Sequence, residues 1–121
     1  MATRVLLIIP PLTQLNTPYP STAYLTGFLT SQGYAVTQAD IGIEMVLRLF
    51  CRTGLTRAFE EIRRLPEVPG EAAQMLSLER AYLDTIEPVV GFLQGRDPAL
   101  VPLICQGKFL PRGPRFAALA T

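Results

Sequence analysis

The stretch Val5-Leu-Leu-Ile-Ile-Pro-Pro-Leu-Thr-Gln-Leu-Asn-Thr-Pro-Tyr-Pro-Ser-Thr-Ala-Tyr-Leu-Thr-Gly-Phe-Leu-Thr-Ser-Gln-Gly33 decides the fold. Val5–Ile9 carries no polar alternation, which predicts a strand covered on both faces, as in a parallel sheet. Pro10 biases Ile9 to extended geometry and Pro11 does the same to Pro10, so the strand ends with its direction fixed. A helix is expected to start at Pro20 or Ser21, with Tyr24, Leu25, Phe28 and Leu29 forming one apolar face. Gly27 weakens such a helix by ~1 kcal/mol relative to alanine, which implies close approach to the sheet or to a ligand. Gly33 suits the C′ position. Residues 34–40 then read as a second strand, with Ile41 and Ile43 continuing its apolar character. Strand, helix and strand in this order predict a right-handed crossover joining two parallel strands.

The loop between the first strand and its helix is longer than the ~2–6 residues of an ordinary βα connection. It holds uncharged hydrogen-bonding groups in Thr13, Gln14, Asn16 and Thr17, while Pro18 and Pro20 hold Tyr19 extended. Loops leaving the carboxyl ends of parallel strands are where ligands sit. The alternative is a rigid surface loop packed on its own domain. Asp40 falls at the carboxyl end of the second strand, where an acidic residue can meet a ligand hydroxyl. It can equally cap a helix that starts near Ile43, and both readings stand.

From Glu44 the pattern turns helical. Met45, Val46, Leu49 and Phe50 predict a helix that stops at Gly54. Leu55, Ala58, Phe59 and Ile62 carry another to Leu65, with Glu60 and Arg64 spaced to pair at i, i+4. Arg52, Arg57, Arg63 and Arg64 read as a solvated face. Pro66–Gly70 is a turn. Residues 71–94 read as one long helix with Met75, Leu78, Tyr82, Ile86, Val89 and Leu93 on a stripe, kinked or split at Pro88. Asp97-Pro98 reads as an N-cap with proline at N1, opening a short helix to about Cys105 that Gly107 ends. Residues 109–116 show no period, and residues 117–121 give no closing signal.

The chain has 121 residues, 49% of them hydrophobic and 17% charged, which suits one folded domain. A net charge of +1 without a basic stripe removes the electrostatic footprint of a nucleic-acid binder. No apolar run approaches the ~20 residues of a membrane span. Val5–Ile9 makes a poor signal peptide, so a cytoplasmic location is expected. Cys51 and Cys105 lie at no metal-binding spacing; they can pair, but reduced buried thiols are expected. The chain contains no histidine. That excludes a histidine-based hydrolase or a histidine-ligated metal site within it.

The strings Pro10–Pro20, Tyr24–Leu29, Gly33-Tyr34 and Asp40-Ile-Gly-Ile43 together resemble the start of the B12-binding-domain radical SAM proteins, best over residues 4–54. The resemblance implies a Rossmann-like domain that holds cobalamin at the carboxyl ends of its strands. It would put Thr13, Gln14, Asn16 and Tyr19 near the corrin or its side-chain amides, with Asp40 at the same rim. It also implies a following barrel domain with a [4Fe–4S] cluster on Cys-x-x-x-Cys-x-x-Cys, cleaving S-adenosylmethionine. Neither that three-cysteine motif nor Asp-x-His-x-x-Gly occurs here, so cluster and radical chemistry are assigned to a longer parent protein.

The resulting expectation is an α/β chain: residues 1–43 as an incomplete Rossmann-like βαβ unit, and residues 44–121 as a helix-rich remainder of the same, truncated domain. The function expected is a cobalamin-binding-like module, not catalytic by itself, whose partner is a second copy or the remainder of the parent enzyme. The alternative is a self-associating helical interaction module without ligand. A small independent enzyme using Asp40, Glu44 and Tyr19 ranks last, because no carboxylates are paired at a catalytic spacing.

Overall fold

The structure, a computed structural model, describes residues 3–113 and 116, so the expectation for residues 117–121 lies outside the described residues. The chain divides into two compact units, Met1–Leu47 and Arg48–Thr121.

In the first unit, β1 (Arg4–Ile9) is followed by α1 (Pro20–Ser31) and β2 (Ala35–Asp40). The strands pair in parallel, in register from Arg4 with Ala35 to Ile9 with Asp40. α1 packs on both strands. It ends as its sequence dictates: Gly33 takes φ +83°, the Gly33 N–H donates to the Thr30 carbonyl and the Tyr34 N–H to the Leu29 carbonyl. These are the two bonds of a Schellman closure.

Two expectations about this unit are corrected. β1 is covered on one face only: Val5, Leu7 and Ile9 are half-buried, whereas Leu6 and Ile8 are 57% and 51% exposed. Among the described residues the sheet has two strands, and within this unit α1 is the layer laid against it. Likewise α1 packs through Thr22, Thr26 and Leu29, not through its larger side chains; Tyr24 and Phe28 are 78% and 62% exposed. A two-stranded sheet is a narrow platform. The small threonines let the helix approach it, and the rings stay exposed. Thr26 also returns its hydroxyl to the Thr22 carbonyl at 2.7 Å, so its polar atom is satisfied against the sheet.

Gly27 does not mark a close approach, because a Cβ built there meets nothing within 4 Å. Gly27→Ala is therefore expected to stabilise the chain by about 1 kcal/mol through helix propensity alone, read as a higher urea midpoint at unchanged slope. A lower midpoint would show that the open space is filled in solution.

Ile41 and Ile43 belong not to β2 but to α2 (Ile41–Leu49), which begins directly after Asp40. α2 ends at Leu49, earlier than Gly54. Cys51 adopts extended backbone and its sulfur accepts the Gly54 N–H at 3.3 Å, so it is the N-cap of α3 (Arg52–Arg63). Its thiol donates to the Arg48 carbonyl at 3.3 Å. Gly54 is thus inside α3. A Cβ at this position would collide with the carbonyl oxygens of Arg48 and Leu49 and lie 2.9 Å from the Leu49 carbonyl carbon. The glycine lets the next helix start against the end of the previous one.

α3 packs on α5 (Glu79–Leu93). Phe59, Ile86 and Val89 are buried between them, with the Tyr82 ring 6.3 Å from that of Phe59. Ion pairs rim this contact. Arg52 meets Asp84 at 3.0 Å and Arg63 meets Glu79, while the Arg52 N–H donates to Glu87 at 3.2 Å. Arg64 pairs with Glu61, at i, i−3, in place of the expected Glu60. Such exposed pairs contribute ~0–1 kcal/mol each, so the apolar seam dominates.

The long helix predicted over residues 71–94 is two. α4 (Gly70–Ser77) stops at Leu78, and α5 runs through Pro88 unbroken. Ser77 donates its hydroxyl to the Gln74 carbonyl at 2.7 Å, competing for an acceptor of the last turn. Asp84 and Pro88 are both exposed, so water can take the Asp84 carbonyl that proline leaves without a donor. Asp97 then accepts the Ala99 N–H at 3.2 Å and opens a 3₁₀ turn (Pro98–Leu100) that leads into α6 (Val101–Cys105). Residues 109–113 adopt neither helix nor strand. Both cysteines are free; Cys51 is half-buried and Cys105 is exposed rather than buried. No helix of the described residues is long and apolar enough to cross a membrane.

Candidate functional site

The carboxyl end of the parallel pair carries the site. Ile9 and Asp40 are register partners there, so the loop after β1 and the start of α2 leave the sheet side by side. Pro10 to Thr13 form a tight turn, closed by the Thr13 hydroxyl donating to the Pro10 carbonyl at 3.1 Å. Pro11 followed by Leu12 at φ +65° is the sequence of a type II turn with leucine where glycine or asparagine is usual. The left-handed conformation costs a β-carbon residue roughly 1–2 kcal/mol. The loop closes at Tyr19, extended at φ −83° and ψ 109°, with Pro20 at N1 of α1.

Asp40 caps α2. Its Oδ1 accepts the Ile43 N–H at 2.9 Å, which satisfies one of the open donors of the helix and places a negative charge at its positive end. The capping alternative is thus realised, and the same side chain also walls the cleft described next. Gly42 lies beneath both features. It is buried, and a Cβ there would stand 3.1 Å from Thr13 Oγ1, 3.2 Å from Asp40 Oδ1 and 3.3 Å from the Pro10 carbonyl oxygen. The β1 turn and the α2 cap therefore meet across a glycine.

Thr13, Gln14, Asn16, Tyr19 and Asp40 all line one cleft of about 220 Å³. Thr17 adds a hydroxyl, and Ile9, Leu15, Pro18 and Ile43 supply apolar wall. The sequence reading missed Gly42 and Ile43. The signal for Gly42 was its place two residues after a strand-end acid, where a glycine marks close backbone approach. Ile43 was masked because its apolar character continued that of the strand.

Chemically, the cleft offers hydroxyls, carboxamides and one carboxylate, and no lysine or arginine lines it. Among its lining residues no nucleophile is paired with a base. Among the described residues, no three histidine, cysteine, aspartate or glutamate side chains converge as a metal site. No protein-family model, curated protein or solved structure matches this chain.

Proposed function

We propose that the first unit is the start of a Rossmann-like, cobalamin-binding module of a radical SAM enzyme and is not catalytic by itself. One observation carries this reading: the loop residues on which the resemblance rests, Thr13, Gln14, Asn16 and Tyr19, line a single cleft with Asp40 at the carboxyl end of a parallel strand pair.

The donor set suits the neutral amide side chains of a corrinoid, which both donate and accept hydrogen bonds. The cleft lies below the ~300–1,000 Å³ of pockets that enclose a drug-sized ligand, so it takes one peripheral arm and not the macrocycle. The chain has no histidine and so offers no imidazole to the cobalt. Bound cobalamin would supply the alkyl-transfer chemistry of its metal; the residues here bind and orient. S-adenosylmethionine and the [4Fe–4S] cluster belong to a longer parent.

The test is equilibrium dialysis against hydroxocobalamin, with the Asn16→Ala/Tyr19→Ala double variant beside the parent chain. Saturable retention in the micromolar range is expected, weakened at least tenfold in the variant. That factor corresponds to about 1.4 kcal/mol, the scale of one or two lost hydrogen bonds and a ring contact. A second reading, a self-associating module without ligand, has the exposed Leu6, Ile8, Tyr24 and Phe28 in its favour. No retention, together with a dimer on size-exclusion chromatography, would establish it instead.

A further inference from the structure

We propose that α1 is a dimer seam: the helix crosses its counterpart in a second copy of the chain antiparallel, and Phe28 and Tyr24 of each copy seat against the hollow at the other's Gly27. This gives the self-association reading its interface and rests on that reading; the cleft takes no part in it.

The stripe of α1 turned away from the sheet consists of Pro20, Tyr24, Gly27, Phe28 and Ser31, all exposed and all recurring at helical spacing. None of the five lines the cleft. Single exposed apolar residues are ordinary, but two rings on consecutive turns form a contiguous patch, which marks an interaction surface. Gly27 lies between the rings. Glycine is the poorest helix former after proline, and nothing in its own chain comes within 4 Å of where its Cβ would stand. The room it leaves is therefore room for something outside the chain.

Rings and hollow within one turn are both halves of a knob-and-hole contact. In an antiparallel crossing at Gly27, the ring of each copy enters the hollow of the other, which is the reciprocal contact of a two-fold pair. Nothing here repels such a pairing. No residue between Arg4 and Asp40 is charged, so the like-on-like juxtaposition at a two-fold axis meets no Coulomb repulsion, and a charged partner finds nothing to pair with. The Ser31 hydroxyl already donates to the Phe28 carbonyl at 2.6 Å, so burying it strands no donor.

Area sets the strength. At 78% and 62% exposed, Tyr24 and Phe28 offer roughly 280 Å² per copy, on the ~150–250 Å² scale of aromatic side chains. Leu25 at the flank and the small residues beside the rings bring a pair of copies to about 1,000 Å², the low end for a specific interface. The dimer is accordingly weak, with a dissociation constant on the order of 100 µM. Urea unfolding of Gly27→Ala well below that concentration reads the single chain.

Sedimentation equilibrium of the full chain from ~5 to ~500 µM brackets that constant and should show a monomer–dimer equilibrium. Gly27→Leu fills the hollow with a better helix former. It should raise the dissociation constant at least tenfold while circular dichroism shows helix content and a urea midpoint no lower than the parent's. Phe28→Lys and Phe28→Glu should each be folded and monomeric, because like charges would meet across the axis. Mixed in equal amounts, these two variants should restore a one-to-one heterodimer. A dimer that survives Gly27→Leu and both Phe28 variants unchanged would overturn the α1 seam and leave self-association standing. A monomer at every concentration would overturn both. A mixture of the Phe28 variants that stays monomeric would refute the two-fold crossing at Gly27.

Discussion

Phe59→Ala is expected to remove about 3–5 kcal/mol from the helical unit. Phe59 is 3% exposed and is the most deeply buried large side chain described; Ile86 and Val89 of α5 follow at 9%. Alanine would leave a cavity between α3 and α5 and remove the ring contact with Tyr82. Neighbouring helices close such a space only in part, so the cost exceeds the transfer term alone. A small helical unit has on the order of 4–10 kcal/mol in total, so the variant should lose a large share of its stability. Far-UV circular dichroism through a urea gradient checks this. A midpoint shift worth less than about 1 kcal/mol would show that the seam is not centred on Phe59. Phe59→Leu should cost ~1 kcal/mol, separating lost volume from loss of the ring itself.

The second large effect is expected at Gly54. Glycine to alanine inside a helix normally stabilises by ~1 kcal/mol, and Gly27→Ala is the matched case. At Gly54 the sign reverses, because the new methyl would strike the carbonyls of Arg48 and Leu49. These are backbone atoms, held by the end of α2 and by the Cys51 cap, and cannot rotate away as a flexible side chain would. The junction must open, breaking the cap and shifting α3 on α5. We expect a net loss of about 2 kcal/mol or more, in line with overpacking at a rigid site. A urea series on Gly27→Ala, Gly54→Ala and the double variant should show opposite, additive shifts, since the residues share no partner. Stabilisation by Gly54→Ala would refute the close approach of the two helices.

The parts of this fold that were legible in the sequence are those marked by residues with few conformational options. Pro10-Pro11 closed β1, Pro20 opened α1, Gly33 ended it, and Asp97-Pro98 opened the 3₁₀ turn that leads into α6. The loop residues read as a site do line one cleft. The rest escaped because it depends on tertiary context. Leu78 carries no breaking signal, yet α4 ends there, helped by the Ser77 hydroxyl. Pro88 carries a strong one, yet α5 continues through it at a place where Asp84 and Pro88 are both exposed. Gly54 read as a terminator because a glycine that ends a helix and one that lets another helix approach look alike in sequence. The face of α1 was misjudged for a related reason: periodicity finds the apolar stripe, but the width of the sheet decides which stripe packs.

Asp40 has consequences for kinetics as well as affinity. A single carboxylate holds the first turn of α2 closed and borders the cleft, so occupancy and fraying of that turn draw on the same atoms. A ligand that pulls Asp40 inward frees the Ile43 amide to exchange with solvent; one that leaves the cap intact slows that exchange. If the cleft binds as proposed, the hydrogen-exchange rate at Ile43 would report its occupancy, readable on the unmodified chain and without any label on the ligand.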